Sequence, residues 1–233
     1  MKKTVLWVGL CAVLPLIVPA LPAQAQKAPA KAAARASSLP LKSAAAVLDA
    51  SAKVVGAAAA AKVSSMVLTG TLSMPANGLK GTMVVKTKNP GRFVMVQSLP
   101  NIGEIRVGYD GKVGWSQDPM NGLRDLKGAE LAQARDEAER SSAGDWRKKT
   151  RKAELLAPRK VGNALCYVVR VTPKVGPPST QYYDAKSLLL LRTDTVAVSP
   201  NGQLPTETYL SDYRTVDGMK MPFKTRSVVA GTQ

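Results

Sequence analysis

The stretch Ile105-Arg-Val-Gly-Tyr-Asp-Gly-Lys-Val-Gly-Trp115 decides the fold class of this chain. Apolar residues alternate with polar or small ones on both sides of Asp110-Gly111, which is typical of two half-buried strands. Asp-Gly tolerates the positive φ that both central residues of a tight two-residue turn require. The stretch therefore predicts a β-hairpin. Its apolar faces are predicted to be Ile105, Val107 and Tyr109 on the first arm, and Val113 and Trp115 on the second.

The same period of two extends over most of the chain. Short turns such as Asn89-Pro-Gly91 and Asp217-Gly218 separate the alternating segments, which favours neighbouring antiparallel strands. The pattern predicts about ten or eleven strands in a mainly β (α+β) domain. Besides the two arms of the hairpin, they run at about 65–72, 79–88, 92–99, 151–161, 164–173, 181–184, 188–198, 206–216 and 219–229.

Two segments instead show helical spacing. Ser43 is positioned to cap a helix over 44–56, in which Val47, Leu48, Ser51, Val54 and Val55 form one face. A second helix is predicted over 128–140, with a narrow apolar stripe of Leu131, Ala134 and Ala138. A strongly curved sheet of this size must cover its apolar concave face. The N-terminal helix and this mid-chain helical insertion are predicted to cover it.

The N-terminus reads as a secretory signal peptide over residues 1–25. Lys2 and Lys3 are followed by an apolar run from Val5 to Leu21 and by Ala23-Gln-Ala25, a small-residue cleavage site. A membrane anchor is the alternative, but the run is short for a bilayer span and contains prolines. Residues 26–43 are rich in Ala, Lys and Pro and predict a disordered linker before one domain over 44–233. The expected location is the periplasm.

The chain is strongly basic, with a formal net charge of +17. For an exported protein, this charge favours an anionic membrane surface or an acidic partner protein. The densest cluster is Arg147-Lys-Lys-Thr-Arg-Lys152, which is either a solvated face or a docking site. Nucleic acid is not expected as a partner, because no stacking aromatic residues are interleaved with these charges.

The sequence does not predict an enzyme. It contains no histidine, which removes Ser-His and Cys-His nucleophiles and ordinary His-containing zinc sites. No Gly-x-Ser-x-Gly, P-loop or Gly-x-Gly-x-x-Gly motif is present. Cys166 is the one cysteine beyond the predicted signal, and its apolar surroundings in the sequence predict a buried, inert thiol. Asp110 is not taken as a catalytic residue, because its place in the predicted turn already accounts for it. We expect no catalytic residues, no cofactor and no metal.

A family resemblance accompanies these patterns. Tyr109-Asp-Gly-Lys-Val-Gly-Trp115, then Asn121-Gly122 and Leu126-Lys-Gly-Ala-Glu-Leu131, resemble the LolA/LolB-like periplasmic lipoprotein-carrier superfamily. The similarity is greatest to its outer membrane lipoprotein-sorting proteins, in which a DG-x-x-x-W hairpin precedes a Gly turn and a Leu-x-Gly-x-Glu-Leu helix entry. It extends over about residues 45–229. The other matching segments are Val47–Gly56, Leu68–Gly70, Lys88–Phe93, Tyr182–Asp184, Leu189–Arg192, Asp212–Gly218 and Pro222-Phe223.

The resemblance implies an antiparallel half-barrel of about eleven strands that binds acyl chains of lipoproteins or other lipids in its cavity. The alternative function is an envelope sensor or protein-interaction module with the same fold and no transported cargo. The inward-facing apolar residues are candidates for the cavity wall, although the same residues would equally serve as core beneath the helices. These candidates are Leu68, Met83, Val85, Phe93, Met95, Ile105, Val107, Tyr109, Trp115, Tyr167, Val169, Leu189, Leu191, Tyr213, Met221 and Phe223.

Overall fold

Two β-sheets and four helices make up the computed structural model, which describes residues 4–6, 39–75, 78–141, 145–199 and 202–229. Sheet A, the N-terminal sheet, has its strands in chain order from one edge to the other. Each neighbouring pair is antiparallel except the first, which is parallel. Its strands are β1 (Thr4–Leu6), β2 (Ser65–Met74), β3 (Leu79–Lys88), β4 (Arg92–Leu99), β5 (Gly103–Tyr109), β6 (Gly114–Asp118) and β7 (Gly122–Asp125).

Sheet B contains the remaining six strands, also in chain order and entirely antiparallel. Short hairpin connections join most of them, as the turn residues predict. Its strands are β8 (Thr150–Val161), β9 (Ala164–Pro173), β10 (Ser179–Asp184), β11 (Leu190–Ser199), β12 (Gly202–Val216) and β13 (Met219–Val229).

The helices are α1 (Ala44–Val54), α2 (Ala57–Ala60), α3 (Gly128–Ser141) and α4 (Trp146–Lys149). The Ser43 hydroxyl accepts a hydrogen bond from the backbone N–H of Ala46 and caps α1, as predicted. Gly56 turns the chain into α2 at φ 77°. A side chain there would clash, because its Cβ would lie 2.1 Å from the carbonyl oxygen of Gly218. None of the helices in these ranges is long and apolar enough to cross a membrane.

The inner faces of the two sheets share one interior. α3 lies against β4, β5 and β6 and also contacts β11, whereas α1 lies against β8 and β9. Phe223 and Met221 of β13 pack into the same apolar cluster as Leu68 and Met83 of sheet A. The prediction of a mainly β half-barrel with helices over its concave face is confirmed, with six antiparallel strands in each sheet.

The central hairpin differs from the prediction in its turn. Tyr109 pairs with Gly114, so the loop is four residues long, and only Gly111 of the Asp-Gly pair has positive φ. The Asp110 carboxylate accepts hydrogen bonds from the backbone N–H groups of Val113 and Lys112, both at 2.8 Å, which lower its pKa. The expected two-residue turn is therefore wrong, because the aspartate side chain organises a longer loop.

The domain boundaries stay a prediction. The described strand β1 falls inside the predicted signal peptide and pairs with Val67–Thr69 at the edge of sheet A. The rest of residues 1–25, and the predicted linker up to residue 38, lie outside the described residues. Cleavage after Ala25 would remove β1 and leave β2 as the edge strand.

Candidate ligand-binding cavity

A cavity of about 460 Å³ lies between sheet B and the helices. This volume is within the range of about 300–1,000 Å³ that is usual for small-molecule sites. Residues of β8, β9 and β10 form its floor, and α1, α2, α4 and the C-terminal half of α3 form its walls. The lining residues are Leu48, Val55, Ala57, Ala60, Asp136, Glu139, Trp146, Lys148, Lys149, Thr150, Val171, Pro173, Lys174, Val175, Pro177, Ser179, Gln181 and Tyr183.

Apolar surface on the floor of the cavity comes from Val171, Pro173 and Tyr183. Val171 and Tyr183 are buried and pack in one cluster with Leu48 of α1. Burial raises the pKa of Tyr183, and its hydroxyl donates a 2.6 Å hydrogen bond to the side-chain oxygen of Gln181. The phenol therefore stays neutral with its polar atom satisfied, so its ring offers apolar surface to a ligand.

A polar clamp ties α4 to α1 at the wall of the cavity. Arg147 donates two hydrogen bonds to the Asp49 carboxylate, at 2.7 and 2.6 Å, and the Trp146 indole N–H donates a third at 2.9 Å. The Arg147 guanidinium also lies over the Trp146 ring, 4.5 Å from its centre. The hydrogen bonds from Arg147 and Trp146 lower the pKa of Asp49. This clamp positions α4, whose Trp146, Lys148 and Lys149 line the cavity.

Charged groups surround the apolar floor. Lys149 is half-buried, its ammonium donates to the backbone carbonyl of Glu139, and burial lowers its pKa. The backbone N–H of Lys174 donates to the carbonyl of Lys149 at 2.8 Å, which joins the 173–177 segment to α4. Two acidic residues of α3, Asp136 and Glu139, line the same side. The arrangement suits an amphipathic ligand, with an apolar part on the floor and a polar part near these charges.

Most of the sixteen candidate residues lie elsewhere on the concave face. Those of sheet A pack with Phe223 and Met221 beneath α3, against Leu131, Ala134 and Ala138. Ile105 lies on the same face, because it is two residues before Val107 in β5 and alternate residues of a strand share a face. The candidates in this group are Leu68, Met83, Val85, Phe93, Met95, Ile105, Val107, Tyr109, Met221 and Phe223.

The candidates of sheet B are divided between two faces. Tyr167 and Val169 pack beneath α1 and border the residues of the cavity floor. Leu191 instead packs with Cys166 and Val168 on the opposite face of the sheet, so its predicted inward orientation is wrong. Leu189 lies outside the strands, half-buried, and the Tyr213 hydroxyl donates to the carbonyl of Leu190 at 2.6 Å.

Trp115 also lies on the outer face, contrary to the prediction. It pairs with Gly108, whereas Val107 and Tyr109 pair with Ser116 and Gly114. Paired residues share a face, so Trp115 is opposite to the inward residues of β5. The alternation correctly predicted which residues share a face within each arm. It does not predict which face of one strand lies on the same side as a given face of its paired strand.

None of the sixteen candidates lines the described cavity, and their role in ligand binding stays a prediction. The helices and the 173–177 segment that form its walls were not identified from the sequence as lining residues. The apolar face of α1, with Leu48 and Val55, was the available signal for one wall. Trp146, the aromatic residue immediately before the basic run, was the signal for another.

Comparison with protein-family models and with curated protein sequences finds no match. Solved structures do match. A LolA superfamily protein from Nitrosomonas europaea has a TM-score of 0.53 at 13% identity, over 82% of this chain and 87% of that one. A Vibrio parahaemolyticus domain named for outer membrane lipoprotein sorting has a TM-score of 0.53 at 12% identity, over 81% and 87%. The chain therefore has the LolA-like fold that its motifs predict.

Proposed function

We propose that this protein is a non-catalytic carrier or binding protein for the acyl chains of a lipidated protein or lipid. The observation that carries the proposal is the cavity of about 460 Å³, with apolar residues on its floor, inside a LolA-like fold. The carrier-like fold of its structural neighbours supports the same conclusion. The proposed site of action is the periplasm, in line with the N-terminal signal that the sequence predicts.

Burial of an acyl chain would supply enough free energy for useful binding. Each methylene removed from water contributes about 0.8 kcal/mol, so ten sheltered methylenes contribute roughly 8 kcal/mol. Without further costs, that corresponds to a dissociation constant near 1 μM. Ordering the flexible chain weakens binding, and contacts to a polar head group would offset part of that cost.

The chemistry of the described residues supports a non-catalytic role. Cys166 is buried, and burial raises the pKa of its thiol to about 11, so it stays protonated at neutral pH. A thiolate would be needed for nucleophilic attack. Within the ranges that the structure describes, no group of three or more Asp, Glu or Cys residues is placed to hold a metal ion.

Filling the cavity tests the proposal. Ala60 lines the cavity, whereas Ala58 of the same short helix is exposed and does not. We expect Ala60→Trp to weaken binding of a fluorescent fatty-acid probe by about tenfold or more, because the indole occupies the space of several methylenes. Ala58→Trp serves as the matched control and should leave the affinity within twofold.

Native mass spectrometry of the exported protein provides the second measurement. Co-purified acyl ligands that disappear in Ala60→Trp but persist in Ala58→Trp are the expected result. If wild-type protein carries no lipid and displaces no probe, the carrier function is wrong. The remaining candidate would then be the sensor or interaction module, which the packed interior between α3 and sheet A favours.

A further inference from the structure

In the part of the chain that the structure describes, the helices make their main contacts with sheet A on its inner face. α3 contacts β4, β5 and β6 through their inner residues, while α1 and α2 contact strands of sheet B. The pairing registers identify which side chains share the outer face. One cross-strand row runs Thr69, Val84, Val96, Arg106, Gln117 and Leu123, and the next runs Val67, Lys86, Val94, Gly108, Trp115 and Asp125.

An apolar stripe occupies the middle of this face. Val84 pairs with Val96, and Val94 pairs with Gly108, which in turn pairs with Trp115. The Trp115 ring lies against Gly108, where a Cβ would be only 2.6 Å from the ring. Glycine thus allows the indole to lie along the sheet. The valines and Trp115 are partly exposed, whereas Leu123, which extends the stripe, is 70% exposed.

Cationic side chains border the stripe near β3 and β4. Lys88 pairs with Arg92, and Lys86 lies between Val67 and Val94, all on the outer face. All three cations are exposed. Among the acidic residues of the outer rows, Glu104 is bonded to Arg106 and Asp125 pairs with Trp115 in the register. Asp110 lies close enough to Arg92 for the guanidinium to contribute to lowering the pKa of its carboxyl. The positive charge of this corner therefore comes mainly from Lys86 and Lys88.

We propose that the outer face of sheet A docks onto an anionic phospholipid membrane surface. Lysine and arginine near such a surface are attracted by its negative potential, and tryptophan favours the head-group region because its ring is amphipathic. The valine stripe provides apolar contact between these two anchors. A second copy of the chain is disfavoured as the occupant, since two such faces would bring like charges together. This proposal concerns a surface that shares no residue with the cavity lining, and it does not depend on a bound cargo.

Vesicle co-sedimentation measures the docking. The purified protein is mixed with vesicles of phosphatidylcholine alone, or of phosphatidylcholine with 30 mol% phosphatidylglycerol (roughly the anionic content that gives a strong surface potential). We expect binding only to the anionic vesicles and a marked loss of binding at high salt, because the attraction is screened. The absence of binding to anionic vesicles would overturn the proposal.

A matched pair of variants locates the face. Lys86→Glu/Lys88→Glu should weaken binding by about thirty-fold or more, because each lysine near the surface contributes roughly fivefold and the glutamates add repulsion. Lys160→Glu/Lys220→Glu makes the same change in net charge at exposed positions of sheet B and should have less than a threefold effect. Equal losses in both variants would mean that net charge alone drives binding, which overturns the assignment to this face.

Trp115 distinguishes a membrane from an acidic protein. Phospholipids brominated near the glycerol should quench the fluorescence of wild-type protein more than that of Trp115→Phe. Soluble poly-glutamate provides the comparison, because it has the charge but no hydrocarbon. Binding of poly-glutamate as tightly as anionic vesicles, with no quenching of Trp115, would overturn the membrane in favour of an acidic protein partner.

Discussion

The two halves of the interior are filled to different degrees. Beneath α3, the inner face of sheet A is packed, with Ala134 and Ala138 of the helix buried against it. Gly114 allows this close approach, because a Cβ there would lie 2.8 Å from the side chain of Leu131. Between sheet B and the helices, a cavity of about 460 Å³ remains. In this protein, α3 covers the sheet tightly where the small residues Ala134, Ala138 and Gly114 lie between helix and strands.

Charge explains why the second half stays open. The C-terminal half of α3 presents Asp136 and Glu139 to the cavity, and α4 presents Lys148 and Lys149. Ionised groups keep hydrogen-bonding partners around them and do not fill space as alanine or leucine does. The same residues that leave the cavity unfilled also give it the polar side that an amphipathic ligand needs.

The largest expected effect comes from enlarging a residue in the filled half. Ala138 is 1% exposed, so Ala138→Phe should lower the free energy of unfolding by about 3 kcal/mol through overpacking. Ala60→Trp, in the open half, should lower it by less than about 1 kcal/mol. Urea denaturation measures both values. Similar losses for the two variants would contradict the difference in packing.

The second expected effect concerns the candidate residues of sheet A. Met95→Gln places an amide in the buried cluster beneath α3 and should destabilise the fold by about 1–2 kcal/mol. Affinity for the fatty-acid probe should stay within twofold, since Met95 does not line the described cavity. A tenfold loss of affinity, with Ala60→Trp unaffected, would mean that the ligand enters beneath α3 and displaces that helix.

The smallest expected effect concerns the clamp between α1 and α4. The pKa of Asp49 is held below its ordinary value of 3.8 by Arg147 and Trp146, so the clamp contributes stability above that value. This contribution is lost as the pH falls further, through the folded-state pKa. Acid titration of wild-type protein should therefore change the Trp146 fluorescence below about pH 4.

Asp49→Asn is the control for this titration. The amide cannot titrate, so the fluorescence step should be absent, and amide hydrogen exchange in α4 should be faster than in wild-type protein at neutral pH. A step of the same size in Asp49→Asn would assign it to another carboxylate and contradict the role of the clamp.

Local patterns predicted most of the secondary structure. Alternation gave the strands of both sheets to within a few residues, and Ser43 and Gly56 correctly marked the start and end of α1. β1, β7 and α4 were not predicted, because each has only three or four residues and shows too little periodicity. The turn at Asp110 failed for a different reason, since the aspartate carboxylate accepts two backbone N–H groups and stabilises a longer loop.

The candidate site was predicted less well than the fold. Alternation tells which residues of one strand share a face, and it correctly grouped Met83 with Val85 and Phe93 with Met95. It does not tell which face of the next strand is inward, and Trp115 was misplaced for that reason. The Asp49 clamp joins residues almost one hundred positions apart, and no local pattern relates such residues.

The sequence by itself determined the mainly β class, the order of the strands, the two covering helices and the absence of histidine chemistry. These properties follow from the spacing of apolar residues, from turn residues and from composition, all of which are local. Only the tertiary structure decided which half of the interior is filled, where the cavity lies and that Trp115 faces outward. Those features depend on pairing register and on helix placement, which are set by contacts between residues far apart in the chain.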